Sequence, residues 1–156
     1  MKYRITINLS IVLCLLSSCG MNPTVDPTDR QVNDTPIELT NLSTRKDVDQ
    51  QVANQAKEIL KYNDDLTAVK AVNTPDKLVV AIDIYHLQRL QLKKIEKKIQ
   101  KKLEKEFPTS EVILSSDKKV FLELDKLEKK LQSDSLSKDK LAKKITKIIE
   151  LSNEET

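Results

Sequence analysis

The chain has 156 residues, of which 33% are charged and 38% hydrophobic, and its formal net charge is +3. This length allows one domain with tails, and this composition excludes both a multi-span membrane protein and a wholly disordered chain. Gly20 is the only glycine, which excludes phosphate-binding loops and catalytic turns that need the backbone freedom of glycine.

The first twenty residues have the features of an export signal. Lys2 and Arg4 precede a mostly apolar stretch, residues 5–16, which is about half as long as a membrane-spanning helix and is typical of a signal peptide. The next segment, Leu16-Ser17-Ser18-Cys19-Gly20, resembles a bacterial lipobox. This resemblance implies cleavage before Cys19 and a diacylglyceryl thioether on its sulfur. The alternative is an ordinary secretory signal with an incidental cysteine.

Four regions are therefore expected along the chain. Residues 1–18 are the signal peptide, and the lipidated Cys19 opens a flexible linker over residues 19–42, where prolines and small polar residues leave no regular period. An α+β domain covers residues 43–132, and a C-terminal helix and tail cover residues 133–156. Two acyl chains hold a protein stably on a bilayer, so we expect a domain tethered to a membrane on its extracytoplasmic side.

The first part of the domain is expected to form a helix and a β-hairpin. Ser43 or Thr44 can cap the helix. Its apolar positions, at helical steps, are Val48, Val52, Ala56, Ile59 and Leu60. Two strands, residues 66–72 and 77–85, are joined by a proline-containing turn at residues 73–76. Alternate residues make one face of the second strand wholly apolar and the other mixed, which is typical of a central strand with a helix-covered face.

A long amphipathic helix and a short strand follow the hairpin. The helix is predicted over residues 86–107 and ends before Pro108, because proline cannot continue a helix. Its apolar face is formed by Leu92, Ile95, Ile99 and Leu103. The short strand is predicted over residues 111–115.

Two further helices complete the predicted elements. Ser116 or Asp117 caps the first, and Ser137 begins the second after a polar break at residues 132–135. Leu141, Ile145 and Ile148 align on the last helix. A helix this short is marginal alone in water, and we expect it to be mobile or weakly docked.

Three segments behind the lipobox resemble a known protein family. They read LVVAIDI, RLQLKKIEKKIQKKLEKEFP and EVILSSDKKVFLELDKLEKKL. With the lipobox, they are similar to the YhcN/YlaJ sporulation lipoproteins, and to the YlaJ branch in particular. The similarity covers residues 45–131 and leaves the tail from Ser133 outside. It implies an endospore-forming Gram-positive bacterium, attachment to a spore membrane and a part in sporulation or germination, and it supplies no catalytic residues.

The order of elements predicts an α+β fold. It is a helix-strand-strand-helix-strand-helix sandwich, in which a three-stranded sheet packs on helices, and a C-terminal helix follows. The same order resembles ring-building domains of secretion and sporulation channels, a likeness of topology alone. It also resembles the KH nucleic-acid module, which clamps its ligand with a GXXG loop. Because this domain lacks glycine, we expect no nucleic acid partner.

Lysines dominate the predicted outer face of the long helix. They lie opposite its apolar stripe, and the candidate binding residues among them are Lys94, Lys98, Lys101 and Lys105. Near a membrane, such a face can bind anionic lipid headgroups or an anionic wall polymer. The alternative is a solvated helix face that keeps the domain soluble.

No residues of the chain form a convincing catalytic or metal-binding pattern. His86 has no His or Cys partner for a metal and no evident nucleophile to activate. The acidic pairs Asp64/Asp65 and Glu104/Glu106 are expected at a turn and on a helix surface, whereas hydrolytic carboxylate pairs need a cleft. We therefore expect no catalytic residue, no metal and no cofactor, and a wall or lipid hydrolase is the disfavoured alternative.

The combined prediction is a lipid-anchored, non-catalytic structural or interaction module on a cell or spore membrane, acting in sporulation or germination with spore protein partners still to be identified. The alternative is a general envelope-binding lipoprotein unrelated to spores.

Overall fold

The computed structural model describes residues 36–42, 48–133 and 136–154. The predictions for the signal peptide, for the lipid on Cys19 and for the caps Ser43 and Thr44 lie outside these residues.

The described residues contain four α-helices, three strands and a short 3₁₀ segment. In chain order they are α1 (Gln51–Leu60), β1 (Leu66–Asn73), β2 (Lys77–Ile84), the 3₁₀ segment (His86–Gln91), α2 (Leu92–Glu106), β3 (Glu111–Ser115), α3 (Lys118–Gln132) and α4 (Lys138–Glu154). The predicted α+β class and the predicted order of elements are confirmed. The structure divides the single long helix predicted over residues 86–107 into the 3₁₀ segment and α2.

β2 is the central strand of a mixed sheet with the order β1-β2-β3. It pairs antiparallel with β1 and parallel with β3. The hairpin closes where the Thr74 N–H donates to the Lys77 carbonyl at 2.9 Å, and the fixed φ of Pro75 suits the second position of this turn. The parallel pairing needs a crossover, which the 3₁₀ segment and α2 provide.

Helices cover both faces of the sheet, and the described residues form one apolar cluster on each face. On one face, Leu78, Val80 and Ile82 pack with residues of α1 and α2. On the other, Val79 and Ala81 pack with residues of α3 and α4. The alternation read from the sequence of β2 is confirmed, and the structure adds a helical layer on the mixed face.

The start of α1 differs from the prediction. The helix begins at Gln51, its N-cap Gln50 makes no side-chain capping hydrogen bond, and Val48 packs in the cluster of the opposite sheet face. Asp49 Oδ1 accepts the Gln51 N–H at 2.8 Å, and the rest of the cap comes from the end of β1, where Asn73 Oδ1 accepts the Ala53 N–H at 3.0 Å. A cap supplied across the fold leaves no local sequence signal.

Residues 36–42, predicted as the end of the flexible linker, pack on the domain, so that prediction is wrong for them. Ile37 and Leu42 are buried, and the Ile37 N–H donates to the Lys61 carbonyl at 3.2 Å. The side-chain amide of Asn54 bonds to both the N–H and the carbonyl of Leu42, at 2.9 and 2.8 Å. Buried apolar side chains and satisfied backbone groups offset the entropy lost in ordering this segment.

The last helix is also more firmly attached than expected. Leu141, Ile145 and Ile148 are buried in the same cluster as the apolar face of α3. Leu136, just before α4, joins them. The prediction of a mobile or weakly docked tail helix is therefore wrong, because its narrow apolar stripe completes one half of the core.

Candidate functional site

α2 presents a basic face to solvent, as the sequence predicts. Its residues Ile95, Ile99 and Leu103 are buried. The predicted binding residues, all exposed, are Lys94, Lys98, Lys101 and Lys105. Lys98 Nζ lies 4.0 Å from Asp65 Oδ2; within the described parts of the chain, the other three lysines have no ion-pair partner. The charge of this face is thus available to an anionic partner.

Two leucines of the 3₁₀ segment that precedes this face are exposed to solvent. The side chain of Leu87 is 88% exposed and that of Leu90 is 99% exposed. A 3₁₀ helix has three residues per turn, so side chains three positions apart lie on the same side. The sequence analysis missed both residues because it placed them in one amphipathic helix with α2. Their spacing was the available signal, since neither fits the period of the buried stripe.

The remaining predicted candidates are not brought together. His86 is exposed. Asp65 borders a cleft of ≈ 410 Å³ that Lys98 also lines, and Glu104 accepts a hydrogen bond from Gln100 at 2.8 Å on the surface of α2. The described residues contain no group of three or more His, Cys, Asp or Glu that could hold a metal.

A buried ion pair, which the sequence analysis also missed, lies at the free edge of β1. Lys57 of α1 and Glu128 of α3 are fully buried, with Lys57 Nζ 3.0 Å from Glu128 Oε1. The same oxygen accepts the Ala71 N–H at 3.1 Å, and Lys57 also donates to the Thr40 carbonyl. Both charges stand within otherwise apolar helical stripes, which is the sequence signal that could have identified them.

Further charges extend this pair toward the surface. Lys70 Nζ lies 2.7 Å from Asp125 Oδ1 and 3.2 Å from Glu128 Oε2. Burial lowers the pKa of Lys57, and attraction to Glu128 offsets only part of this effect. Burial also opposes the charge of Lys70, but its hydrogen bond to Asp125 and the charge of Glu128 outweigh it and raise the pKa of Lys70.

The arrangement of this network suits a structural role. Because Lys57 and Glu128 are fully buried, a substrate has no direct access to either charge. Their partners come from α1, β1, α3 and the segment containing Thr40, so the network joins parts of the chain that are distant in sequence. Glu128 Oε2 has no hydrogen-bond partner and lies 3.2 Å from Lys70 Nζ. The other buried groups bond to one another and to the backbone, which fixes the relative positions of the elements that carry them.

Comparison with known proteins identifies the family. The model of the YhcN/YlaJ sporulation lipoproteins matches residues 21–150. This range includes most of α4, so the prediction that the tail from Ser133 lies outside the family similarity is wrong. No significant match is found among curated proteins or among solved structures. None of the described helices is both long and apolar enough to cross a membrane. Since the family model covers most of its 156 residues, the chain belongs to the sporulation lipoprotein family YhcN/YlaJ.

Proposed function

We propose that the protein is a lipid-anchored, non-catalytic interaction module that acts on a spore membrane during sporulation or germination. Membership of a sporulation lipoprotein family is the observation that carries this proposal, since it implies a membrane-associated protein held by lipid. The lipobox-like segment supplies the attachment point, Cys19, and a thioether-linked diacylglycerol there provides two acyl chains for stable anchoring. The folded domain then lies on the extracytoplasmic side.

The chemistry of the described residues supports binding over catalysis. The buried charges of Lys57 and Glu128 are bonded to one another and to backbone groups in the interior. The accessible charges are mainly lysines on solvated helix faces. Such groups attract anions, whereas a hydrolase needs an acid and a base positioned together in a cleft.

The basic face of α2 is the proposed contact surface. Lys94, Lys101 and Lys105 are exposed, and no carboxylate among the described residues neutralises them. Held near a bilayer or wall by the anchor, this face can bind anionic lipid headgroups or an anionic wall polymer with salt-sensitive affinity.

A fluorescent fusion followed through sporulation and germination tests the proposal. We expect the fusion to appear during sporulation, to concentrate at a spore membrane, and to become diffuse in the matched Cys19→Ala variant. We also expect deletion of the gene to alter sporulation efficiency or the rate of germination. Production confined to vegetative growth, with unchanged spores in the deletion strain, would contradict the assignment.

The non-catalytic part of the proposal has a separate test. Purified protein is incubated with spore peptidoglycan and with phospholipid, and soluble products are measured by mass spectrometry. We expect the product profile to equal that of a buffer control. Release of wall fragments or fatty acids that scales with protein concentration would identify a hydrolase instead.

A further inference from the structure

The two leucines of the 3₁₀ segment belong to one continuous outward-facing stripe. Starting at Leu87, one set of exposed side chains recurs every three or four residues along the 3₁₀ segment and α2. They are Leu87, Leu90, Lys94, Lys97, Lys101 and Lys105. Steps of three and four place side chains on one side of a helix. The stripe is therefore apolar at its first two positions and basic at the next four.

The apolar end of this stripe has no cover among the described residues. Leu87 and Leu90 are 88% and 99% exposed, and no residue of the 3₁₀ segment is buried. Tyr85, immediately before this segment, is partly exposed as well. Single exposed leucines are common on proteins. Leu87 and Leu90 lie on one turn with Tyr85 beside them, and together they form a local apolar patch, the tip.

We propose that this tip enters the hydrocarbon region of an anionic membrane while the lysines of the stripe contact the lipid headgroups. The charge pattern identifies the occupant. Apolar side chains followed by unneutralised lysines on one helix face match a surface that is apolar inside and anionic outside. An anionic wall polymer would complement the lysines alone and would leave Leu87 and Leu90 in water.

The length of the chain before Pro36 also fits a bilayer. The inference rests on the proposed anchor at Cys19, which lies 17 residues before Pro36. This length of chain spans at most about 60 Å when fully extended, so the domain remains close to the bilayer that holds its lipid. Confinement of this kind raises the effective concentration of the tip at the membrane, and a weak insertion then suffices.

Vesicle binding of the mature chain without its lipid tests the tip directly. The protein used begins at residue 19, carries Cys19→Ser and keeps every described residue. We expect it to bind vesicles of phosphatidylglycerol mixed with phosphatidylcholine at low salt. The variant Leu87→Ser/Leu90→Ser should bind at least about tenfold more weakly, because it removes most of the apolar surface that enters the lipid.

A matched control separates the tip from exposed leucines in general. Leu122 on α3, which covers the other face of the sheet, is 47% exposed, and Leu122→Ser should leave vesicle binding within about twofold of the parent. Replacing Lys94, Lys97 and Lys101 by glutamine should weaken binding at low salt and flatten its salt dependence. Each replaced side chain is exposed, so circular dichroism should report unchanged folding.

The depth of the tip is measured on the lipidated mature protein. The chain contains no tryptophan, so Leu90→Trp introduces a single tryptophan, which can be excited separately from the tyrosines and keeps the apolar character of the site. On anionic vesicles we expect its emission to shift to the blue and to be quenched by lipids brominated on the acyl chain. The control Leu122→Trp should show neither change.

Three outcomes would overturn the inference. Equal vesicle binding by the parent and the double leucine variant would remove the role of the tip, and an unquenched Leu90→Trp would place it in water. Parent protein that dimerises through Leu87 and Leu90 without binding vesicles would make the tip a contact between copies. Failure of the proposed function is distinguishable, because vesicle binding by the unlipidated Cys19→Ser chain depends neither on lipid at Cys19 nor on a spore phenotype.

Discussion

At the scale of residues, side chains protect the open edge of β1. Backbone groups of an edge strand are unpaired unless another group meets them. Here, Glu128 accepts the Ala71 N–H at 3.1 Å. At Asn73, two residues after Ala71 on β1, the side-chain amide of Gln50 bonds to the backbone carbonyl at 2.8 Å and to the backbone N–H at 3.0 Å. A buried carboxylate and a buried side-chain amide thus bond to backbone groups of β1 that would otherwise pair with a fourth strand.

The buried ion pair leads to a prediction about single and double variants. Glu128→Met alone should lower the free energy of unfolding by about 3–5 kcal/mol, because it leaves Lys57 as an uncompensated buried charge. Lys57→Met alone should cost less, because Lys70 still pairs with Glu128 at 3.2 Å. The double variant should cost clearly less than the sum of the two, since it removes both charges together. Urea denaturation of the four proteins measures the coupling. Strictly additive losses would mean that the two charges do not stabilise each other.

Asp125 should make stability depend on acid pH. Hydrogen bonds from Lys129 and Lys70 lower its pKa from the ordinary 3.8, so the folded state holds this proton less tightly than the unfolded state. Its contribution is therefore present above the ordinary pKa and is lost as the pH falls through the lowered value. Asp125→Asn should destabilise the protein near neutral pH, and the difference from the parent should vanish in acid.

Thermal unfolding measured from neutral to acid pH checks this dependence. Glu123→Gln on the same helix is the control, because its pair with Lys126 is largely exposed and such pairs stabilise little. A loss in Asp125→Asn that stays constant across the pH range would show that packing, rather than charge, is responsible.

At the scale of elements, α4 is required for one half of the core. Ile145 is 1% exposed and packs with the apolar residues of α3. Ile145→Ala should lower the free energy of unfolding by about 2–5 kcal/mol, the usual cost of such a cavity. The neighbouring Thr146 is exposed, and Thr146→Ala should have little effect. Denaturant titration compares the two.

Truncation after residue 135 extends the same test to the whole helix. Because it removes Leu136 and the three buried residues of α4, we expect the melting temperature to fall by far more than about 5 °C, the shift that corresponds to roughly 1 kcal/mol in a domain of this size. A truncated protein that melts within that interval of the parent would mean that α4 adds little to the fold.

Local sequence patterns predicted those elements whose determinants are local. β3 occurs at the predicted residues 111–115, and Asp117 caps α3 by accepting the N–H groups of Lys119 and Val120. The cap on α1, the docking of residues 36–42 and the Lys57–Glu128 pair depend on partners far away in sequence. Periodicity contains no information about such partners, and an ion pair within two apolar stripes runs against the usual pattern.

The candidate surface likewise combines features that local sequence patterns predict with features that they do not. The lysine face followed from the helical period of α2, because charged residues opposite a buried stripe must face solvent. That period also excludes Leu87 and Leu90 from the buried stripe, but it does not show that α2 begins only at Leu92. The 3₁₀ segment before it has three residues per turn, so Leu87 and Leu90 lie on the same side, one turn apart.

At the scale of the whole molecule, the protein combines a proposed lipid anchor with a folded domain that carries its own candidate membrane surface. The two attachments differ in physical character. The lipid holds the chain regardless of salt, whereas the tip and the lysine stripe depend on headgroup charge and on ionic strength. The anchor should therefore decide whether the protein is on the membrane, and the stripe should decide how the domain lies against it.

This division of roles gives a prediction for Cys19→Ser in cells. Cys19 precedes every described residue, so the melting temperature of the domain should not change. The exported variant should nevertheless leave the lipid-anchored fraction, and any protein that remains on membranes should be released by washing at high salt. Detergent phase partitioning and mass spectrometry of the N-terminal peptide measure both properties. An unmodified cysteine in the parent, or a variant that resists the salt wash, would contradict the proposed anchor and require another means of attachment.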